Sequence, residues 1–499
     1  MTAAAAGPSG SSGPGDPRRD ALREHLAGAR WFGGKGRDFR VADVVDLGWL
    51  TPADFVPAVR IEIAEVRYAG SAPDVGLGGP DDQTDLEAVE YYQLLMAYRP
   101  AGEPGPGAGP SAGNGSAPAG IVTVDDPERG RLVGSDGVQD SEARRVLLVR
   151  LLGEYAATSA DGSLAFRLRD SDRLTADLPS TVFGGQQSNT SLMYGDVAML
   201  KLFRRLELGR NLDIEAHQVL SDAGIEDVAT LYGWLEGSWR TAAGVRHSAD
   251  FGMVVEKLRE ATDGWELALE RLRAGADFTA ESEDLGRALA EIHRALGANF
   301  ATDTIAGDEL ADVMVERLAV ATEAAPALAE HADGLRRCFD ELRGRDLPAQ
   351  RVHGDFHLAQ TLHTPTGWKI IDFEGEPAKT MAERVAPDNP WRDVAGLLRS
   401  YEYAAASVPG DDGGESARAW AQACSTAMLA GYRRAAGLPA EDDEATALLR
   451  AYTADKAVYE VVYEVRNRPD WVHIPLGAVA ALAATPQSHD HPHDRDQEI

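Results

Sequence analysis

The chain has 499 residues, enough for two or three domains and a large buried core. Its formal net charge of −31, from 49 Lys and Arg against 80 Asp and Glu, argues against a nucleic-acid or anionic-membrane surface, where basic groups must neutralise phosphates. Cys338 and Cys424 provide neither a disulfide framework nor a zinc spacing. No run approaches the ~20 apolar residues of a membrane helix, and the start lacks a signal-peptide pattern; a cytoplasmic protein is expected.

In chain order, residues 1–17, rich in Gly, Pro and Ser, read as a disordered tail, because such a stretch cannot bury enough apolar surface to offset chain entropy. Residues 18–146 read as a small β-rich subdomain. It opens with the short helix "DALREHLAGAR", continues through strands such as "RIEIAEVRY" and "EAVEYYQLLMAYRP", and is interrupted by a disordered insertion at 101–120. An intermediate subdomain follows at 147–260. From 261 to 485 apolar residues recur at three-to-four spacing, as in "ESEDLGRALAEIHRALGANF" and "DEATALLRAYTADKAVYEVVYEVRNRPD", which predicts a helical unit. Residues 486–499 read as a second disordered tail.

The stretch "VHGDFHLAQTLHTPTGWKIIDFEGE", residues 352–376, carries the chemistry. Phosphoryl transfer from ATP needs a carboxylate to receive the acceptor hydroxyl's proton and oxygen ligands for Mg²⁺. Asp355 follows His353-Gly354, and Gln360 stands five positions later, the separation of base and metal-ligating amide in the kinase pattern H-R-D-x-x-x-x-N. Residues 360–363 and 367–373 predict two strands joined at Thr-Pro-Thr-Gly. Such a hairpin returns Asp372, followed by Phe373, toward Asp355 and Gln360. His353 and His357 are expected to brace this loop.

Upstream, "FGGQQSNTSLMYGDVAMLKLF" offers a phosphate-covering turn, with Gln187, Ser188, Asn189, Thr190 and Ser191 as candidate ATP contacts. Lys201 then lies inside an apolar strand, where an unpaired ammonium would be costly. Glu215, on the following predicted helix, is the expected partner. Neither a G-x-G-x-x-G loop nor a Walker sequence is present.

The set "GGQQSNTS", "LKLFRR", "DGWELAL", "VHGDFHLAQ", "IDFEGEP", "RDVAGLLRSYEYAA" and "KAVYEVVYEVRNRPDW" resembles the bacterial, actinobacterial-type maltokinases, relatives of the aminoglycoside phosphotransferases. "ARWFGGKGRDF" looks like the start of the cap subdomain of that family. The resemblance implies an α+β, eukaryotic-kinase-like bilobal fold: a mixed N-terminal lobe with an extra cap, and a mostly helical C-terminal lobe. It implies ATP-dependent phosphorylation of maltose to maltose 1-phosphate for glycogen and α-glucan synthesis. Asp355 would be the catalytic base. Gln360, Asp372 and Glu374 would hold Mg²⁺, Lys201 the ATP phosphates, and the hinge "VVEKL" with Glu256 the adenine. Maltose and ATP are the implied partners, with trehalose synthase and a second copy of the chain as further candidates.

For the sugar, planar polar groups and aromatic faces on the C-terminal helices are the expected donors: Arg392, Asp393, Tyr463, Glu464, Arg466 and Trp471. Arg392 and Asp393 have a second reading, as braces of the catalytic loop. Two other functions stand beside maltokinase. One is a kinase for another small sugar or amino sugar, such as glucosamine or an aminoglycoside; the other is a non-catalytic pseudokinase serving as a binding module.

Overall fold

The computed structural model describes residues 16–69, 88–102, 120–159, 161–170, 172–184, 189–377, 379–408 and 414–484. The expected tail at 486–499, residues 1–15 of the expected tail at 1–17, most of the 101–120 insertion, Gln187 and Ser188 lie outside these, whereas Asp16 and Pro17 cap and open the first helix. The chain divides into two compact units: one holds the residues up to 214 together with 230–257, the other 215–229 and everything from 258. The cap and the intermediate subdomain therefore share one unit, and the second takes up the chain from 215 to 229.

In the first unit, α1 (Pro17–Gly28) starts with Asp16 accepting the Arg18 N–H and proline at the first helical position. It lays Leu22 and Leu26 on an antiparallel sheet of β1 (Phe39–Trp49), β2 (Ala58–Tyr68), β3 (Val89–Pro100), β4 (Val122–Asp126) and β5 (Gly130–Asp136), in the order β1-β2-β3-β5-β4. Nearly all of β2 is buried, so its two faces serve two packing layers. Helix α2 (Ser141–Leu152), capped by Asp140, leads to a seven-stranded antiparallel sheet. Its strands are β6 (Ala156–Thr158), β7 (Gly162–Leu168), β8 (Ser180–Val182), β9 (Thr190–Tyr194), β10 (Ala198–Leu202), β12 (Leu231–Arg240) and β13 (Arg246–Glu256), ordered β6-β7-β12-β13-β10-β9-β8. A short β11 (Arg205–Leu206) pairs with β3, tying the two sheets together. Helix α3 (Leu212–Asp222) straddles the division.

The second unit is built on α5 (Thr279–Asn299), which follows β14 (Thr262–Asp263) and α4 (Gly264–Arg273). Its most extensive neighbour is α10 (Glu415–Ala436). Glycines let the two backbones touch: a Cβ on Gly286 would stand 2.1 Å from the Met428 carbonyl oxygen, and one on Gly431 2.0 Å from that of Glu283. The stretch at 307–340 forms two helices, α6 (Gly307–Ala324) and α7 (Ala332–Asp340). Pro326 begins a 3₁₀ segment between them, since proline cannot donate to a continuing helix. Strands β15 (Asp303–Ala306) and β16 (Asp346–Ala349) pair with each other, and β17 (Thr361–Thr364) and β18 (Gly367–Ile370) form the expected hairpin, with Thr361 opposite Ile370. The remaining helices are α8 (Met381–Val385), α9 (Trp391–Ser407), α11 (Asp443–Asn467) and α12 (His473–Ala484). No helix among the described residues is long and apolar enough to cross a membrane.

Candidate active site

The loop between β16 and β17 is fixed by one buried carboxylate. Asp393, in the first turn of α9, accepts the backbone N–H of His353 at 2.7 Å, that of Gly354 at 2.9 Å, and His293 Nε2 at 3.0 Å. Burial would push its carboxyl up, but His293, His353 and the Gly354 N–H outweigh this and hold it below the usual carboxylate range. Arg392 is similarly spent on protein groups: Nε on the Gly354 carbonyl, Nη1 on Asp388, Nη2 on Glu376. Arg392 uses three of its five N–H groups in these bonds and Asp393 is 1 % exposed, so the second of their expected roles, bracing the loop, is the one these hydrogen bonds fit.

His353 takes the bracing position expected of it. It is 1 % exposed, its Nε2 meets the Ile371 carbonyl at 2.9 Å, and its ring packs on Phe356 and Phe373. This bond runs from the loop to the end of the hairpin. His357 differs: its carbonyl accepts the Gln360 N–H at 2.9 Å, closing a single 3₁₀ turn, whereas its ring makes no hydrogen bond among the described residues. Bracing there is by backbone alone.

Across the hairpin the Ile371 N–H bonds the Gln360 carbonyl at 3.0 Å, so Gln360 and Asp372 are brought together as expected. Asp372 has φ +69°, a left-handed conformation uncommon outside glycine and enriched where function over-determines the backbone. Gln360, Asp372 and Glu374 offer only oxygen donors, which suits a hard divalent cation such as Mg²⁺.

Asp355 stands at the head of this arrangement, its side chain 22 % exposed, with Oδ1 3.4 Å from Nζ of Lys456 on α11. Burial alone would push the Asp355 carboxyl up; Lys456, His357 and His353 overcome that and hold it below its ordinary value. Lys456 is correspondingly held protonated by Asp355, Glu376 and Glu460 against burial and Arg392. Sequence reasoning missed Lys456. Its signal was there, because one turn separates it from Tyr459 and Glu460 on a helix already singled out.

In the other unit, Lys201 lies on β10 between Ser191 of β9 and Met253 of β13. Its Nζ is 3.3 Å from Oδ2 of Asp213, a buried carboxylate in the first turn of α3. Glu215, the expected partner, instead meets Arg351 at 3.7 Å. Successive helical residues turn by about 100°, so carboxylates two apart face nearly opposite ways and only one can meet the lysine.

The candidate ATP contacts also separate. Asn189 is half-buried just ahead of β9 and Ser191 is buried within it. Thr190 is turned inward, its hydroxyl receiving Nε of the buried Arg204 at 2.7 Å, so its side chain holds the strand rather than a phosphate. Glu256, at the end of β13, has its carboxylate between Arg173 and Thr230 and its N–H on the Thr230 carbonyl.

Of the remaining sugar candidates, Tyr463 is exposed and stacks on Tyr459 with ring centres 6.4 Å apart. Trp471 stacks on Tyr403, beneath the Arg468 guanidinium, and Arg466 is exposed in the last turn of α11. Glu464, expected at the sugar, is turned into the protein. At 1 % exposure it is held by Tyr403 and Arg468 on one oxygen, while the other is buried without a hydrogen-bond partner among the described residues.

Residues 195–438 match the model of the phosphotransferase enzyme family, and residues 25–140 that of the maltokinase N-terminal cap domain. A glucosamine kinase of Streptacidiphilus jiangxiensis is 28 % identical over 369 residues, covering 68 % of this chain and 82 % of that protein. A glucosamine kinase of Mycolicibacterium smegmatis is 26 % identical over 375 residues, covering 70 % and 88 %. Among solved structures, a glucosamine kinase in complex with glucosamine, ADP and inorganic phosphate superposes with a TM-score of 0.61 at 20 % identity, over 92 % of this chain and 98 % of that one. That likeness establishes the fold: a cap, a β-rich N-terminal lobe and a mostly helical C-terminal lobe. The chain is thus similar to the phosphotransferase enzyme family over residues 195–438 and to the maltokinase N-terminal cap domain over residues 25–140.

Proposed function

We propose that the chain transfers the γ-phosphoryl group of ATP to a hydroxyl of a small sugar, with Asp355 as the base. The observation that carries this reading is the loop at 353–372: a largely buried carboxylate, Asp355, held below its ordinary pKa, in a loop whose backbone is pinned by Asp393 and whose hairpin brings Gln360 beside Asp372. The acceptor O–H proton passes to the Asp355 carboxylate as its oxygen bonds to the γ-phosphorus. The bond to the β–γ bridging oxygen breaks, and ADP leaves. Lys201, held by Asp213, would bear on the ATP phosphates, and Gln360, Asp372 and Glu374 would hold Mg²⁺, which supplies charge neutralisation when bound. Tyr463, Trp471 and Arg466 would line the sugar.

For the acceptor, the names of the curated relatives put glucosamine first. Maltose is a second reading, favoured by the match to the maltokinase cap at 25–140 and by the stretch "IDFEGEP". ADP release measured with glucosamine, maltose, glucose and an aminoglycoside in parallel separates them. Turnover with one acceptor, lowered on the order of 10²-fold or more in Asp355→Asn, is expected. Undiminished turnover in that variant removes Asp355 from the mechanism, and no turnover with any acceptor removes the sugar-kinase reading.

A further inference from the structure

We propose that Lys456 selects the charge of the acceptor, admitting a neutral hydroxyl-bearing carbon beside Asp355 and rejecting one whose neighbouring carbon carries an ammonium group. The inference rests on the sugar-kinase reading and deepens it.

Three carboxylates face the Lys456 ammonium: Asp355 on the catalytic loop, Glu376 beyond the hairpin, and Glu460 one turn further along α11. Two are already claimed by guanidinium groups. Glu376 is 2.8 Å from Arg392 Nη2 and Glu460 is 2.6 Å from Arg399 Nη2. Asp355 is thus the carboxylate Lys456 bonds, at 3.4 Å. His353 and His357 flank Asp355 from its own loop, and Arg392 adds positive charge from α9. Lys456 is the cation that meets the base directly.

An acceptor hydroxyl must come within hydrogen-bond reach of Asp355 to surrender its proton, and so it comes beside the Lys456 ammonium. For a neutral sugar this helps: the ammonium can donate to the acceptor oxygen as negative charge develops there and on the arriving phosphoryl group. An ammonium one carbon from the reacting hydroxyl meets a fixed like charge in a partly covered site, where screening is weak. An amine remote from the reacting hydroxyl escapes this. For glucosamine, whose amine is on C2, the hydroxyls on C1 and C3 are disfavoured and that on C6 is not. The next turns of α11 suit such a ligand: the Tyr459 ring lies 5.4 Å from Nζ, and Tyr459 and Tyr463 are both exposed, giving aromatic faces to a sugar.

The test compares kcat/KM for glucose, maltose and glucosamine in the wild type, Lys456→Met and Lys456→Arg, with the phosphorylated position read by ³¹P NMR. The wild type is expected to leave the C1 and C3 hydroxyls of glucosamine unmodified. Its preference for a neutral over an amine-adjacent hydroxyl should fall by about tenfold or more in Lys456→Met, the size of one 1.4 kcal/mol like-charge contact, and survive in Lys456→Arg. If Lys456→Met is insoluble or too slow to assay, the same kcat/KM comparison with ³¹P NMR of the phosphorylated position in Lys456→Gln reads the same preference. Wild-type phosphorylation of glucosamine at C1 as readily as of a neutral sugar overturns the proposal, as does a preference unchanged without the lysine. Absence of turnover with every sugar overturns the underlying kinase reading instead.

Discussion

Replacing Asp393 by alanine strips the loop that carries Asp355 of its anchor. The carboxylate accepts two backbone N–H groups, at 2.7 and 2.9 Å, and a histidine at 3.0 Å, with 1 % of the residue exposed. A hydrogen bond to a charged group contributes about 1.5–3 kcal/mol, so losing the two backbone bonds costs about 3–6 kcal/mol, because the cavity leaves both donors without a partner. Asp393→Asn should fall between, since one amide oxygen can serve one N–H while its NH₂ faces the other donor. Amide exchange at His353 and Gly354, followed by mass spectrometry or NMR, should accelerate by on the order of 10² or more in Asp393→Ala. Turnover should drop on the order of 10²-fold as Asp355 loses its placement. A pH signature accompanies this. The carboxyl is held below its ordinary value in the folded protein, so its stabilisation is complete above the unfolded pKa of about 4 and is lost as pH falls through the folded value. Asp393→Ala should therefore lose less stability than the wild type between about pH 6 and about pH 3. Wild-type turnover with unchanged protection of the two amides would refute the reasoning.

Two further substitutions test the remaining structure. Asp213→Asn should raise the KM for ATP about tenfold by removing the charged partner of Lys201, whereas Glu215→Gln, which touches only the Arg351 pair, should stay within about twofold; the reverse order would reinstate Glu215. Gly286→Val should lower stability by about 2–4 kcal/mol, read as a drop in Tm by circular dichroism, because even its Cβ would meet the Met428 carbonyl at 2.1 Å. An unchanged Tm would mean that α5 and α10 can separate at no cost.

Much of the catalytic loop was legible because its information is local. Thr364 and Gly367 close the hairpin in the expected register, and that register alone sets Gln360 beside Asp372. Lys201 was legible for a different reason: a lysine inside an apolar strand needs an anion, whatever the fold. Which anion was not legible, since Asp213 and Glu215 are equally close in sequence and the choice depends on how α3 is rotated about its axis. The same limit applies to Asp393. Nothing near it in the chain indicates that its hydrogen-bond donors lie forty residues upstream at His353 and Gly354, so sugar contact and loop bracing both stood as readings of the sequence.

Lys456 marks the other edge of legibility. Its helix and face follow from the 3.6-residue period, as does its neighbourhood with Tyr459, Glu460 and Tyr463. The contact with Asp355, a hundred residues earlier, follows only from how α11 packs beside α9, with Arg399 reaching across to Glu460. That packing makes the electrostatics of the acceptor end a property of two distant segments. A relative can therefore keep the catalytic loop intact and alter the helix, and in doing so change the acceptor it takes without altering the chemistry. An overall identity of 26–28 % cannot report such a change, whereas the residue facing Asp355 at position 456 can.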